Sequence, residues 1–347
     1  MNNKSRLIYP EFLRIYSTFL VILLHISGNM WVRLDITSLN WRVINIYNTF
    51  PRSAVPIFIM ISGIFLLSPK KEISIYKLYK KYILRIFITL AFWSVFYIFL
   101  NYFDAYDFKT IIKFLLEGKT NYHLWYLYML IGLYILTPPI RIFIKNSNRK
   151  DIEYLLGILL IFSFIIKFLP DISVFSYLKV FTSKMRVFNL TPYIFYYILG
   201  YYLANYDFPK IINKLIYILG LIALVFSIYQ TRVLTLNSLK PMDYWQMPDN
   251  FNIALYTGAV FIFTKNVFNT IKLTNFSKKV IHLLASYSFG IFLTHDIFIK
   301  ICNRLNLFDN LANPILLVPI LTLLDFILCF ILTYIIKKTF KYHNYII

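Results

Sequence analysis

The sequence is short of the residues that build soluble and disulfide-rich proteins. Only two of its 347 residues are cysteines, and charged side chains make up 15% of the chain. Soluble domains carry about 25% charged residues, so this fraction excludes an ordinary soluble domain. Cys302 and Cys329 lie far apart in the sequence, which excludes a disulfide framework and a Cys-x-x-Cys metal site. The loops between apolar segments reach only about twenty residues, too few for a soluble domain with its own core.

Most of the chain consists of apolar residues, and many of them are aromatic. Hydrophobic residues make up 59% of it, aromatic residues make up 20%, and the mean hydropathy is +0.64. These values predict an all-α fold, a polytopic transmembrane helix bundle with about ten spans in a single domain over residues 1–347. We expect the spans at residues 10–30, 47–67, 82–101, 122–144, 153–170, 188–205, 211–230, 251–270, 282–301 and 314–336.

The start of the chain has two interpretations. Lys4 and Arg6 resemble the charged beginning of a secretory signal peptide. Glu11 and Arg14 interrupt the apolar stretch that follows, and no small-residue cleavage site comes after it. We therefore expect a retained first helix.

The shortage of acidic residues leaves a large positive charge. The chain has 36 lysines and arginines against 15 acids, a formal net charge of +21. With the N-terminus inside, most of the basic residues fall in the segments predicted to be cytoplasmic, as the positive-inside rule requires. This pattern predicts that both termini are cytoplasmic, and it assigns the excess charge to topology and anionic lipid headgroups rather than to nucleic acid.

The first apolar segment carries a polar stripe. Glu11, Arg14, Thr18, His25 and Asn29 are spaced at intervals of three, four and seven residues, which places them on one face of a helix. Arg14 and His25 are separated along the axis by about 16 Å, a little over half the hydrocarbon core. Ionisable groups inside a membrane helix are costly, so they indicate function unless neighbours satisfy them. The structural alternative is that Glu11 pairs with Arg14 and that His25 bonds a neighbouring helix.

Further polar residues fall at the outer ends of other predicted spans. Arg52 begins the apolar part of the second span, His123 opens the fourth, and His295 lies in the ninth, next to Asp296. A single membrane histidine is more often a helix–helix hydrogen-bond group than a catalyst, but three at one depth favour a shared site. Asp325, near the middle of the tenth span, belongs to no motif, and we expect it to pair with Arg14 or with another helix.

Four segments resemble the sequence motifs of one protein family, and they occur in the same order as in that family. They are EFLRIYSTFLVILLH, with its arginine and histidine eleven positions apart, RSAVPIFIMISGIFL, HLWYLYMLIGLYILTP and SFGIFLTH. By these motifs the chain is identified as a member of the acyltransferase family 3 membrane proteins, which acylate cell-surface glycans, lipid-linked sugars and related acceptors. The resemblance covers about residues 10 to 300. The sequence carries Glu11 where many relatives have aspartate, and we expect no appended extracellular domain of the kind that some relatives carry.

The resemblance implies the roles of several residues. It assigns the essential catalytic positions to Arg14 and His25, and it marks His123, Trp125 and His295 as motif positions; Arg52 matches the variant of the second motif in which an arginine precedes Ala-Val-Pro. Together with Glu11, the positions that we expect to bind substrate are Arg52, His123, Trp125 and His295. The resemblance further implies an acyl-CoA donor from the cytosol and an acceptor hydroxyl presented from outside.

We therefore predict an O-acyltransferase of the bacterial cytoplasmic membrane that moves an acetyl or succinyl group from acyl-CoA to a glycan or polysaccharide. We expect membrane lipids and polysaccharide synthesis or export machinery as partners, and neither a tightly bound cofactor nor a metal. His25 is either the general base or an acyl carrier, and Arg14 either holds the donor or orients the helix through Glu11. The alternative function is a transporter or flippase for a polysaccharide or lipid-linked sugar; a membrane scaffold without chemistry is a third.

Overall fold

The computed structural model describes residues 7–101, 107–165, 191–310 and 313–347, and the regular structure in these ranges is helical throughout. The α-helices are α1 Tyr9–Trp31, α2 Leu39–Thr49, α3 Ala54–Leu66, α4 Ile75–Lys77, α5 Leu84–Asn101, α6 Phe108–Glu117, α7 Trp125–Ile135, α8 Thr137–Asn146, α9 Arg149–Leu160, α10 Thr191–Asn205, α11 Lys210–Ser238, α12 Phe251–Thr270, α13 Asn275–Arg304, α14 Leu307–Asn310 and α15 Pro314–Thr339. Short 3-10 segments lie at Phe50–Ser53, Tyr122–Leu124, Tyr244–Gln246 and His343–Tyr345, and π segments lie at Leu78–Ile83 and Ile161–Ile165.

Local sequence signals explain where these helices begin. Ser38 accepts a hydrogen bond from the Trp41 amide at the start of α2, and Thr274 does the same for the Ser277 amide at the start of α13. Such side chains satisfy amides that have no partner inside the helix. Prolines open α1 and α15, where a missing N–H costs nothing.

Several of these segments are long and apolar enough to cross a membrane. In the described ranges there are seven such helical segments, and the bent pair α7–α8 makes an eighth if it is one span. The bend of 49° between α7 and α8 coincides with Pro138 and Pro139, which interrupt helical hydrogen bonding. The predicted spans at 153–170 and 188–205 both run into residues 166–190, which lie outside the described ranges. The chain is a multi-pass, all-helical membrane protein.

Two helices present apolar surface to the outside of the bundle. Only 17% of the most apolar window of α11 and 22% of that of α15 are buried inside the protein. Because a helix that is apolar all round needs an apolar surrounding, these exposed surfaces are typical of contact with lipid tails.

Successive long segments run in alternating directions. We call the end of the bundle where α1 begins the near end, and the end where α1 finishes the far end. Contacts across each end agree with this alternation: at the near end Arg141 of α8 donates to the Leu66 carbonyl of α3, and at the far end Arg304 of α13 donates to the Leu100 carbonyl of α5 at 2.7 Å. Helices α1 and α13 both run from the near end to the far end, so they pack in parallel.

Glycines allow two helix pairs to pack closely. A Cβ atom at Gly63 of α3 would overlap the Tyr197 carbonyl of α10, and one at Gly200 of α10 would overlap the Met60 carbonyl of α3. On the other side of the bundle, a Cβ at Gly290 of α13 would overlap the Thr333 side chain of α15. Small residues at such crossings let helices approach within backbone contact, which is how membrane helices gain packing energy.

The α3–α10 crossing gives a stability test. We expect Gly63→Ala to lower the free energy of unfolding by about 1–3 kcal/mol, because the added methyl group meets backbone that cannot move alone. Gly258→Ala in α12 is the matched control, since an added Cβ there meets no atom within 4 Å. Thermal unfolding in detergent measures both variants. Equal midpoints for Gly63→Ala and Gly258→Ala would contradict the close approach.

Candidate active site

Three histidine rings meet in the far half of the bundle. The ring of His25 on α1 stacks on that of His295 on α13, with centroids 5.2 Å apart and planes 20° apart. The His123 ring, in the 3-10 turn before α7, lies 4.9 Å from the His295 ring at an angle of 63°. The sequence positions 25, 123 and 295 thus share one site, with His295 between the other two.

The three rings differ in access and in hydrogen bonding. His295 and His123 are buried, whereas His25 is partly exposed and lines two cavities. Nδ1 of His295 lies 2.6 Å from the Phe292 carbonyl, so it carries the proton that it donates, and in the neutral ring Nε2 is left as an acceptor. The His25 ring has no hydrogen bond to any residue that the structure describes. Both of its nitrogens are therefore available to a substrate.

A tyrosine that is hydrogen-bonded to an aspartate packs against the His25 ring. The Tyr122 ring lies edge-on to His25 with centroids 4.8 Å apart, and its hydroxyl donates to Oδ1 of Asp296 at 2.7 Å. Oδ2 of Asp296 accepts from Asn121 at 2.6 Å and lies 3.4 Å from the Lys300 ammonium group. Asp296 is 1% exposed, so these partners supply the hydrogen bonds that water cannot. This network fixes Tyr122 and, through it, the orientation of His25.

Arg52 is held by neutral partners only. Its Nε and Nη2 donate to the Asn48 backbone carbonyl at 3.1 Å and to the Asn48 side chain at 2.6 Å, and Nη2 also donates to Gln246 at 2.6 Å. Gln246 is itself buried and donates to Asn45 and Thr49 at 3.2 and 2.8 Å. Nη1 makes no hydrogen bond to the described part of the chain. The guanidinium group is thus fixed beside His25 with two donors free and with no carboxylate in ion-pair contact among the described residues.

Two cavities open onto His25 and Arg52 from the far end. One has a volume of about 310 Å³ and includes Asn29 and Tyr122 in its wall. The other has a volume of about 360 Å³ and is lined also by His123, Trp125 and Tyr193. Trp125 is 40% exposed and its ring lies 5.9 Å from that of Tyr193. Aromatic rings next to charged and polar groups are a common lining for sites that bind small polar ligands.

A third cavity lies towards the near end and contains Arg14. Its volume is about 480 Å³, and its wall includes Arg85, Tyr82, Ser286 and Ser288. The polar stripe of α1 therefore reaches two separate spaces, with Arg14 in the near-end cavity and His25 in the far-end cavities.

The other stripe residues have structural partners. Thr18 donates to the Arg14 carbonyl at 2.8 Å and Asn29 donates to the His25 carbonyl at 2.9 Å, each one turn back on α1. Glu11 is buried and its carboxylate contacts Nδ1 of His282 on α13. Helix–helix pairing thus accounts for Glu11, while Arg14 and His25 both line cavities.

Asp325 does not fulfil the expectation of pairing between helices. Its Oδ1 accepts from the Cys329 thiol at 3.0 Å, one turn on along α15, and its buried Oδ2 has no hydrogen-bond partner in the described ranges. Within the described ranges it therefore bonds along its own helix and pairs neither with Arg14 nor with another helix.

Sequence reasoning missed several residues of the site. Tyr122 and Asp296 are adjacent to His123 and His295, and Asn48 lies one helical turn before Arg52, so their positions carried a local signal. Gln246 and His282 reach the site residues from distant segments, and no pattern in the sequence joins Gln246 to Arg52 or His282 to Glu11. Among the described residues, no group of three His, Cys, Asp or Glu side chains is placed to hold a metal ion.

The Tyr122–Asp296 hydrogen bond can be tested through stability. We expect Tyr122→Phe to lower the free energy of unfolding by about 1–3 kcal/mol, because a buried carboxylate oxygen loses its donor. Tyr229→Phe on α11 is the control, since Tyr229 is 61% exposed and its hydroxyl has no partner in the described structure. Thermal unfolding of both variants in detergent gives the comparison. A Tyr122→Phe midpoint equal to that of the control would show that the bond contributes nothing.

Comparison with known proteins identifies the family of the chain. No curated protein and no solved structure matches the chain. The acyltransferase domain family Acyl_transf_3 matches residues 7–334, a range that includes both ends of the α1 stripe, the three histidines and Arg52. The chain belongs to this acyltransferase family.

Proposed function

We propose that this membrane acyltransferase transfers an acyl group from cytosolic acyl-CoA to a hydroxyl of a cell-surface or exported glycan. The observation that carries the proposal is the placement of Arg14 and His25 on one helix but in different cavities. A donor that enters from the near end and an acceptor that enters from the far end would meet at His25.

The proposed topology makes the near end cytosolic. It has ten spans in a single domain over the whole chain, with both termini in the cytoplasm of a bacterial cell. The positive-inside rule supports it, because most of the basic residues fall in near-end segments. Exposed Lys70, Lys71, Lys80 and Lys81 lie at this end, and the Lys71 ammonium group donates to the hydroxyl of Tyr82, which lines the 480 Å³ cavity of Arg14 and Arg85. Cationic side chains around a cavity attract the phosphates of an acyl-CoA molecule.

The donor arm would run along the α1 stripe. The helical rise separates Arg14 from His25 by about 16 Å, which suits an extended pantetheine chain. Arg14 would hold a polar group of the donor, while Glu11, paired with His282, would fix the near end of α1. The thioester would then lie at His25.

His25 is the residue best placed for the chemistry. An imidazole nitrogen can accept a proton, and the His25 ring lines both far-end cavities and has no hydrogen bond to the described residues. As general base it would remove the proton of the acceptor hydroxyl while the oxygen attacks the thioester carbonyl. The carbon–sulfur bond then breaks, and the imidazolium returns the proton to the leaving CoA thiolate. As acyl carrier, a nitrogen of His25 would instead attack the thioester carbonyl, the carbon–sulfur bond would break, and the CoA thiolate would leave with the proton of the other ring nitrogen. The acceptor hydroxyl would then attack the acyl-imidazole, which releases the ester as the ring takes up the hydroxyl proton.

The acceptor would bind in the far-end cavities. Trp125 and Tyr193 offer aromatic surface for a sugar ring, and the free Nη1 of Arg52 would bind an oxygen of the acceptor or the tetrahedral oxyanion. His295 and His123 lie behind His25 and would orient its ring and the acceptor. The acyl-CoA acts as a substrate, so no tightly bound cofactor is required. Membrane lipids, and machinery that makes or exports the polysaccharide, would be the partners.

The catalytic role of His25 is tested by substitution. Purified protein in detergent receives labelled acetyl-CoA and glycan extracted from cells that lack the gene. We expect His25→Ala to lower the transfer rate about 100-fold or more, the usual contribution of a general base. His343→Ala, in the partly exposed turn His343–Tyr345, is the control. Near-normal transfer by His25→Ala would remove His25 from the chemistry, and no transfer by the wild type in micelles would favour the flippase, which needs two compartments.

The role of Arg14 is tested through the donor concentration. We expect Arg14→Ala to raise the apparent KM for acetyl-CoA about tenfold or more, because a charge-assisted hydrogen bond contributes about 1.5–3 kcal/mol. Arg42→Ala, an exposed arginine at the far end, is the matched control. An Arg14→Ala variant with slower transfer at an unchanged KM would contradict donor binding and leave a structural role.

A further inference from the structure

The near-end cavity and the larger far-end cavity meet at two aromatic side chains. Tyr126 of α7 and Phe292 of α13 are the residues that line both the 480 Å³ cavity of Arg14 and the 360 Å³ cavity of His25. Their rings pack edge to face with centroids 5.4 Å apart. We call this pair the aromatic partition.

The partition is closed and is backed by a third ring. Phe58 of α3 lies 6.0 Å from Tyr126 and 6.3 Å from Phe292, measured between ring centroids, and it lines only the near-end cavity. Tyr126 and Phe292 are 6% and 4% exposed. Rings at these distances are in van der Waals contact, so no chain of atoms passes between them in this arrangement.

On its far side the partition touches the histidine cluster. The Phe292 ring lies 5.8 Å from that of His123 and 5.9 Å from that of His295. On its near side it faces the cavity that contains Arg14. The partition thus lies across the route that a donor in the near-end cavity would take to reach His25.

Opening the partition needs no broken polar contact. The Tyr126 hydroxyl makes no hydrogen bond to any residue described, and the Phe292 side chain has no polar atom. The rings are held by packing alone, so a rotamer change of one side chain would join the two cavities.

From this arrangement, and resting on the proposed function, we infer that Tyr126 and Phe292 form the gate through which the donor arm passes and that the gate selects the acyl group by its width. Only the unbranched cysteamine and β-alanine part of the pantetheine arm, next to the sulfur, has to cross the gate, because the histidine rings lie directly beyond Phe292. This part and a linear acyl chain have similar cross-sections, so an opening that passes the one also passes the other. A group branched next to the carbonyl is wider and is excluded. Tyr126 and Phe292 are specificity-determining residues, distinct from the residues that carry the chemistry.

The test compares two isomeric donors. Butyryl-CoA and isobutyryl-CoA have the same number of carbons and differ in width, and the same glycan extract serves as acceptor in proteoliposomes. We expect Phe292→Ala to raise the isobutyryl-to-butyryl ratio of kcat/KM about tenfold or more, as removal of a steric block to one methyl group predicts. Phe289→Ala is the matched control, because Phe289 lies on the same helix and lines only the near-end cavity. It should leave the ratio unchanged.

The expected result is a change in selectivity and not a general gain in transfer. A ratio in Phe292→Ala equal to the wild-type ratio, which includes an equal gain for both donors, overturns the inference. If Phe292→Ala does not fold, Phe292→Leu and Tyr126→Leu replace it, with a smaller gain in the same direction.

A second measurement needs no acyl transfer. Proteoliposomes that contain a pH-sensitive dye receive a step in external pH, and the proton leak is recorded. We expect Phe292→Ala to leak at least about fivefold faster than Phe289→Ala, because loss of the ring joins two water-accessible cavities into one path. If the wild type transfers no acyl group from any donor, the proposed function fails, and the leak alone then tests whether Tyr126 and Phe292 close the path between the cavities. A faster leak in Phe292→Ala than in Phe289→Ala supports the gate, and an equal leak overturns it.

Discussion

The parallel packing of α1 against α13 is the contact on which the rest of the site depends. Polar side chains connect the two helices at three levels, from Glu11 with His282 at the near end, through His25 with His295, to Asn29 with Asn303 at the far end. In an apolar bundle, packing gives little preference for one orientation of neighbouring helices over another. The reason is that an apolar helix surface packs against lipid tails about as well as against a second helix. Polar contacts at matched heights therefore set both the register and the rotation of α1.

The polar groups of the far half fall into two kinds. Some have their hydrogen bonds satisfied and support the site, and others keep free bonding capacity and form it. Asp296 and Gln246 are buried and bonded to several neighbours, as buried polar groups must be. Bonding capacity is left over at the His25 ring and at one edge of Arg52, which both line the cavities, and at the buried nitrogens of His123 and Nε2 of His295. A rigid network that surrounds groups with free bonding capacity is what a preorganised site requires.

Aromatic side chains separate the near-end cavity from the far-end cavity that contains His25. Phe58, Tyr126 and Phe292 come from three different helices and close the interior with rings rather than with hydrogen bonds. Aromatic side chains fill space at low entropic cost and can change rotamer without leaving a polar atom unpaired. Such a barrier suits an enzyme whose two substrates would approach from opposite sides of a membrane.

Much of this organisation could be predicted from the sequence. Apolar length and charge bias predicted a helical membrane bundle, and the 3.6-residue period placed Arg14 and His25 on one face of α1. The depth of His123 and His295 within their spans also indicated a shared site. Positions along a helix axis follow from counting residues, because the rise per residue is constant.

The tertiary structure decided which faces meet. Gln246 reaches Arg52 from 194 positions away and His282 reaches Glu11 from 271, and no periodicity encodes such pairs. Asp325 bonds along its own helix instead of across the bundle. The sequence by itself determined the elements, their depth and the polar stripe, since these depend on local hydrophobicity and helical geometry. The rotation of each helix, the pairing of its polar groups and the aromatic closure between the cavities depend on packing between distant segments, and only the folded chain decides them.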